Sequence, residues 1–346
     1  MSALQLAHPT RATAFAPRLQ ALLNDYLGQE LFRLDADTVG VAGPHLSDRL
    51  LAARPATDVE RPTFKPLHGR AVPRTDAAKL MQAIGRDVRE ALQQPMPDRV
   101  DLTGPWPQVG HLYLRDLLLG GDPARLRVLM SRNLELTPKL TWSVIAAGAL
   151  APLTLHPDAS ALARVTVAAQ GYTARRYAMG LYRRTAAPVC FTVSTLVANA
   201  LWLGSPFDPA VSSRNIVYES LRLLPPSWNI LRNASPEFPP LDARIGHHDD
   251  VLVLPLLSHR DPALWEDPAE FRPQRWESLD PDAHAGYLPF GHASERCWGR
   301  HMVMPLAERL LDALRQRGLA VDPRQRHAQV PLAGLLGVAE VNVVRL

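Results

Sequence analysis

Of the 38 basic residues in this 346-residue chain, only three are lysines: Lys65, Lys79 and Lys139. No run of arginines carries interleaved aromatics, so the chain lacks the basic, stacking surface that nucleic-acid binding needs. The excess of basic over acidic residues is small, 38 against 34. Cysteine is nearly absent. The two present, Cys190 and Cys297, sit in dissimilar contexts, which excludes a disulfide framework and fits a reducing cytoplasm. No apolar run approaches the roughly 20 residues of a membrane span, and no signal-peptide pattern precedes the first turn. The expectation is a cytoplasmic protein without a membrane anchor. Apolar content, 47%, is that of an ordinary globular chain, long enough for one large core or two domains.

The stretch with the most unusual composition is 288–299, LPFGHASERCWG. Pro289 and Gly291 favour a turn, and Phe290 offers a flat apolar surface. Gly299, without a Cβ, lets the backbone pass close to the Cys297 sulfur. After it, Met302, Leu306, Leu310 and Leu314 recur every four residues, the spacing of one buried helical stripe. A helix N-terminus favours a thiolate through its positive end and free N–H groups, and a metal favours it more. The competing reading of a lone cysteine is a small buried apolar residue. Pro305 inside this helix predicts a kink or an early turn.

Three further signals lie upstream. The run YESLRLLPP supplies Glu219 and Arg222, the run EFRPQRW supplies Arg275, and SHRDPALWEDPAEFRPQRW links them to the cysteine. Glu-x-x-Arg alone is most often a solvated helical pair. With Phe290, Gly291, Cys297 and Gly299 in register behind it, the set from Tyr218 to Arg317 resembles the cytochrome P-450 superfamily. That resemblance implies haem b, with Cys297 as its axial iron ligand and Phe290, Gly291 and Gly299 around the sulfur. It also implies that Glu219, Arg222 and Arg275 form a buried cluster. Arg232, His68 and Arg70 match positions that pair with haem propionates, with Arg74 in reserve. Two positions depart from the pattern: Ala293 stands for a glycine and Glu295 for a basic residue. A carboxylate beside a propionate is repelled, so Arg296 is expected to turn inward and Glu295 outward.

The fold implied is mainly α with small β-sheets, an α+β arrangement of the cytochrome P-450 type, trimmed, as a single domain over 1–346. Its parts are an N-terminal sheet and helix portion (about 15–66), a helical body (about 75–222) and a haem-binding C-terminal part (about 223–346). Local pattern predicts a helix over 15–31, a strand over 31–43, a short helix over 45–53, and a helix capped by Thr75 that ends before Pro95. It also predicts helices over about 122–134, 138–151 and 158–184, a buried helix over 186–203, and a closing hairpin over 331–346. A helix that relatives place between Gly204 and Glu219 is expected to be missing.

In the family, the 186–203 helix crosses the distal face of the haem and carries an acid followed by threonine. Here Val193 replaces the acid and Ser194 the threonine, with Thr195 next; no carboxylate lies anywhere from 186 to 203. Ser194 and Thr195 are the candidate proton-relay hydroxyls, and bonding to helix backbone is the competing role of each. The resemblance implies a haem-thiolate oxidoreductase, a monooxygenase of bacterial specialised metabolism. It would take a small organic substrate and electrons from a ferredoxin docked near Arg296, Arg300 and His301. The alternatives are peroxide-driven, desaturating, coupling or redox-neutral haem-thiolate chemistry, and a non-catalytic binding protein.

Overall fold

The computed structural model describes residues 13–15, 17–53, 67, 72–97, 100–134, 137–291, 296–325, 330–333 and 336–346. Its axis is one helix, Tyr172–Gly204, 33 residues long. The separate helices expected over 158–184 and 186–203 are corrected here: Ala161–Val167 is a short helix, and everything from Tyr172 onward is the central rod. Gly171 turns the chain between the two at φ 75, a left-handed conformation that a side chain would oppose. Pro188 is absorbed by a π-turn over Pro188–Thr192. Proline has no N–H to donate and its ring crowds the preceding turn; one extra residue in the turn relieves both. Among the described residues this is also the one helix long and apolar enough to cross a membrane, which run length had not suggested. Within the fold, 78% of its apolar window is buried, so it serves as a core helix.

The second half of the rod is buried on nearly every side, from Val193 to Trp202. Around it pack the helices Gln108–Leu119, Ser213–Leu223 and Arg300–Gln316. The last of these presents Met302, Leu306, Leu310 and Leu314 to the core, as their spacing predicts, together with Val303, Ala307 and Leu311. Full burial of each such leucine stabilises by about 1.5–3 kcal/mol. Pro305 sits in the second turn of this helix, which continues through it. The helix Arg74–Gln93 lies against the same element. It starts one residue before Thr75, directly after Pro73, with no side-chain cap, so Thr75 is not its cap. No helix intervenes between Gly204 and Ser213, as expected.

The strands form three small sheets. The alternating segment after Leu31 is a hairpin, Leu31–Asp35 against Thr38–Val41, rather than one strand. Thr38–Val41 runs parallel to Asp250–Val253, which pairs antiparallel with Ile230–Arg232. At the C-terminus Val330–Ala333 pairs with Gly337–Val338. The final strand, Val341–Arg345, leaves that hairpin to join Gly104–Trp106 and Leu319–Val321.

Candidate functional site

Cys297 lies just ahead of the 17-residue helix Arg300–Gln316, and its side chain is exposed. Three contacts shape the approach. Gly291, at φ 75, turns the chain and donates its N–H to the Leu288 carbonyl at 3.2 Å. The Cys297 N–H donates to the Phe290 carbonyl at 2.8 Å, and the Cys297 carbonyl accepts from the Arg300 N–H at 3.2 Å. Phe290 packs its ring against the main core. At Gly299 a Cβ would stand 3.5 Å from the Cys297 sulfur. That is ordinary contact, so protein atoms alone do not demand glycine there. Residues 292–295, with Ala293 and Glu295, lie outside the described residues.

The cluster expected from Glu219, Arg222 and Arg275 is present and buried. Glu219 Oε1 accepts from Arg222 Nη2 at 2.8 Å, the Arg272 backbone N–H at 3.0 Å and Arg275 Nε at 3.1 Å. Its Oε2 accepts from Trp276 Nε1 at 2.9 Å and Arg222 Nε at 3.1 Å. Arg222 spends its remaining donors on the carbonyls of His259, Pro268 and Glu270, at 2.8–2.9 Å. Burial pulls the Arg275 guanidinium below its ordinary range, with Glu219 opposing. A buried carboxylate with five donors and a guanidinium with no free N–H satisfy the rule that interior charges are paired and fully hydrogen-bonded.

On the central rod the candidate hydroxyls separate. Ser194 is fully buried and donates to the Phe191 carbonyl at 3.0 Å, so the structure commits it to the helix backbone. Val193 is also fully buried. Pro188 is exposed, while Arg184, Thr192 and Thr195 are partly exposed; their spacing places all four on one open face. Of the two predicted hydroxyls, Thr195 alone lies on that face, joined there by Thr192.

Among the expected propionate partners, Arg232 is 9% exposed and donates to the Ala53 carbonyl at 3.2 Å. His68 and Arg70 lie outside the described residues. Arg296 does not turn inward. It and Arg300 both reach Asp282 Oδ1, at 3.2 and 3.1 Å, on the outer surface. An arginine gains more from an accessible carboxylate than from facing the interior without one. Trp298, 44% exposed, stands among these arginines.

The donor set bears on what the site can hold. Among the described residues no group of three or more His, Cys, Asp or Glu is placed to hold a metal, and Cys190 is buried. A single exposed thiol suits a metal that brings its other ligands with it, as iron in a porphyrin does, and does not suit a zinc or hard-cation site. The residues present fit haem. Reading the sequence missed Trp276, Arg272 and His259 as members of the buried network; the indole and imidazole in an otherwise charged segment were the available signal.

Residues 213–314 match the sequence model of the cytochrome P-450 family. The cyclooctatin synthase of Streptomyces melanosporofaciens is 36% identical over 107 residues, 30% of this chain and 23% of that protein. The fusicoccadiene C-8 hydroxylase of Phomopsis amygdali is 38% identical over 86 residues, 24% of this chain and 16% of that protein. The chain thus matches less than a quarter of the length of these curated relatives. Among solved structures, the himastatin-biosynthesis post-tailoring hydroxylase HmtN superposes with a TM-score of 0.60 at 15% identity, over 95% of this chain and 97% of that one.

Proposed function

We propose that this chain, whose residues 213–314 match the cytochrome P-450 family, is a haem-thiolate monooxygenase of small organic molecules that binds haem b with Cys297 as axial ligand. The observation that supports this best is an exposed thiol ahead of a long helix, its N–H fixed by the Phe290 carbonyl. When bound, haem supplies an iron centre at which oxygen is activated. The protein's part is to supply Cys297 as a thiolate, to pack Phe290 beside the ring, and to pair the buried Arg232 guanidinium with a propionate. The Thr195 hydroxyl, with Thr192 one turn earlier, holds water on the open face of the rod. General acid–base relays contribute about 10²–10⁴ in rate. Arg300 and His301, with the exposed Trp298, form the surface for an acidic ferredoxin-type donor.

One observation favours a second reading. No carboxylate lies between 186 and 203, so the rod offers hydroxyls but no acid. That suits peroxide-driven, desaturating, coupling or redox-neutral chemistry. The named relatives act in specialised metabolism, but the family match begins at residue 213, beyond the rod. Substrate class is therefore not carried over.

The test is the CO difference spectrum of the reduced, haem-supplemented protein. The wild type should show the red-shifted Soret band of a thiolate ligand, and Cys297→Ser should lose it. A wild-type protein without that band overturns the proposal. Turnover with oxygen and a reductase, against turnover with peroxide, decides between the two chemistries.

A further inference from the structure

His259 is a fully buried histidine that the proposed function leaves unused. It comes directly after the short helix Pro255–Ser258, and both its ring nitrogens are spent on backbone atoms. The Leu288 N–H donates to Nε2 at 2.8 Å. Nε2 is therefore the lone-pair nitrogen, and the proton sits on Nδ1. Nδ1 is 3.2 Å from the Arg222 carbonyl oxygen and donates to it. Arg222 returns a bond from Nη1 to the His259 carbonyl at 2.8 Å. Burial, reinforced by the Arg222 charge, pushes the imidazole down to about 3, so the ring stays neutral. The Tyr287 ring packs on it with centroids 5.3 Å apart.

Leu288 is where the cysteine loop begins. Its carbonyl accepts from the Gly291 N–H, and the Phe290 carbonyl accepts from the Cys297 N–H. Hydrogen bonds, joined by the short backbone run 288–290, thus connect the Glu219–Arg222 pair, through His259, to the Cys297 N–H. We propose that His259 is a positioning residue for Cys297: a neutral imidazole, protonated on Nδ1, that fixes the start of the cysteine loop and so keeps the sulfur on iron. This rests on the reading of Cys297 as the axial ligand. Groups that orient a ligand from behind are worth about 10–100-fold in metal affinity or activity.

The experiment uses full-length, haem-loaded protein. His259→Leu fills the space but leaves the Leu288 N–H and the Arg222 carbonyl unpaired. His259→Gln offers an amide oxygen to the first and an amide N–H to the second. The readout is the ratio of thiolate-type to thiolate-free ferrous–CO bands, taken well below the unfolding midpoint. His259→Leu should lower it about 10-fold or more, and His259→Gln should restore most of it. Alkylation of Cys297 in the ferric protein should accelerate in step; Cys190, fully buried, does not compete. A residue with only a packing role would lower the melting temperature and leave both readouts at the wild-type value, which overturns the inference. Where His259→Leu does not fold, His259→Asn serves: its shorter amide reaches one of the two backbone atoms, and a wild-type ratio overturns the inference equally. A wild type that lacks the thiolate-type band removes the reading of Cys297 and this inference with it. A wild type that has the band, with variants that match it, removes this inference alone.

Discussion

Replacing Glu219 is the sharpest perturbation the fold offers. Glu219→Ala removes five accepted hydrogen bonds at once. It leaves Arg222, with no side-chain exposure, beside Arg275, at 8%, with no carboxylate between them. Breaking a buried pair by deleting one partner costs about 3–5 kcal/mol. At about 1.4 °C per kcal/mol for a chain of this size, the melting temperature should fall by about 4–7 °C. Glu219→Gln separates charge from shape. Oε1 accepts three bonds and Oε2 two, so wherever the amide NH₂ is placed it faces at least two donors that it cannot accept from. The glutamine variant should therefore retain more than half of the alanine variant's loss. The assay is thermal unfolding monitored by circular dichroism, with Arg275→Met beside it. That variant still leaves Glu219 paired with Arg222, and should cost about 1–3 kcal/mol. A Glu219→Gln protein that melts within about 2 °C of wild type would refute the argument that an acceptor-only group is required here.

Thr195→Val should reduce product formed per oxygen consumed, measured by paired oxygen and product assays, whereas Ser194→Ala, which removes only a bond to the Phe191 carbonyl, should not. Val193→Asp should not restore an acid relay, because position 193 faces the core; it should destabilise by about 2 kcal/mol or more, read as a drop in melting temperature. Acid should destabilise the protein through its buried histidines: desolvation holds His111 down to about 4 and His259 to about 3 in the fold. Below about pH 6.5 the unfolded chain takes up protons that these rings refuse, so stability falls with pH. Asp87, pushed up to about 6 by desolvation, acts with the opposite sign, since its raised value favours the folded state as pH falls through 6. Of these three groups the two histidines outweigh the aspartate, while raised Asp122 adds to the aspartate's side and lowered His284 to the histidines'. His111→Phe should flatten that slope in pH-dependent melting, and an unchanged slope counts against this assignment.

How much could be read in advance depended on the kind of constraint. Glu219, Arg222 and Arg275 were legible through the family resemblance of their motifs in order, since Glu-x-x-Arg alone reads as a solvated pair, and the fold buries them together. The stripe from Met302 to Leu314 was legible because helical period and burial agree. The central rod was not. Its local signal at Pro188 says break, and the fold overrides it because the flanking apolar faces are worth more buried together than one backbone hydrogen bond. Ser194 stands in register with the family's threonine, and register alone does not show that its hydroxyl turns to the Phe191 carbonyl. The outward turn of Arg296 was not legible because its partner, Asp282, lies in a loop fourteen residues away, where no periodicity leads.

These differences share a cause with the uneven family match. The matched residues, 213–314, contain Glu219, Arg222, His259, Arg275, Trp276 and Cys297. In this part of the fold side chains are chosen by hydrogen-bond valence: an acceptor-only group with five donors, a guanidinium with three carbonyls, an imidazole between two backbones. Few substitutions meet such demands. The rod and the helices before it meet a different one, the filling of volume with apolar atoms, and many sequences do that at little cost. The family match accordingly falls on the stretch that carries the polar network and leaves out the rod, where packing is the main demand. The stretch that holds Cys297 and the polar network is the one the family model matches, and the apolar rod lies outside it. The rod, without an acid between 186 and 203, is thus the part of the chain where the matched stretch says nothing about proton supply.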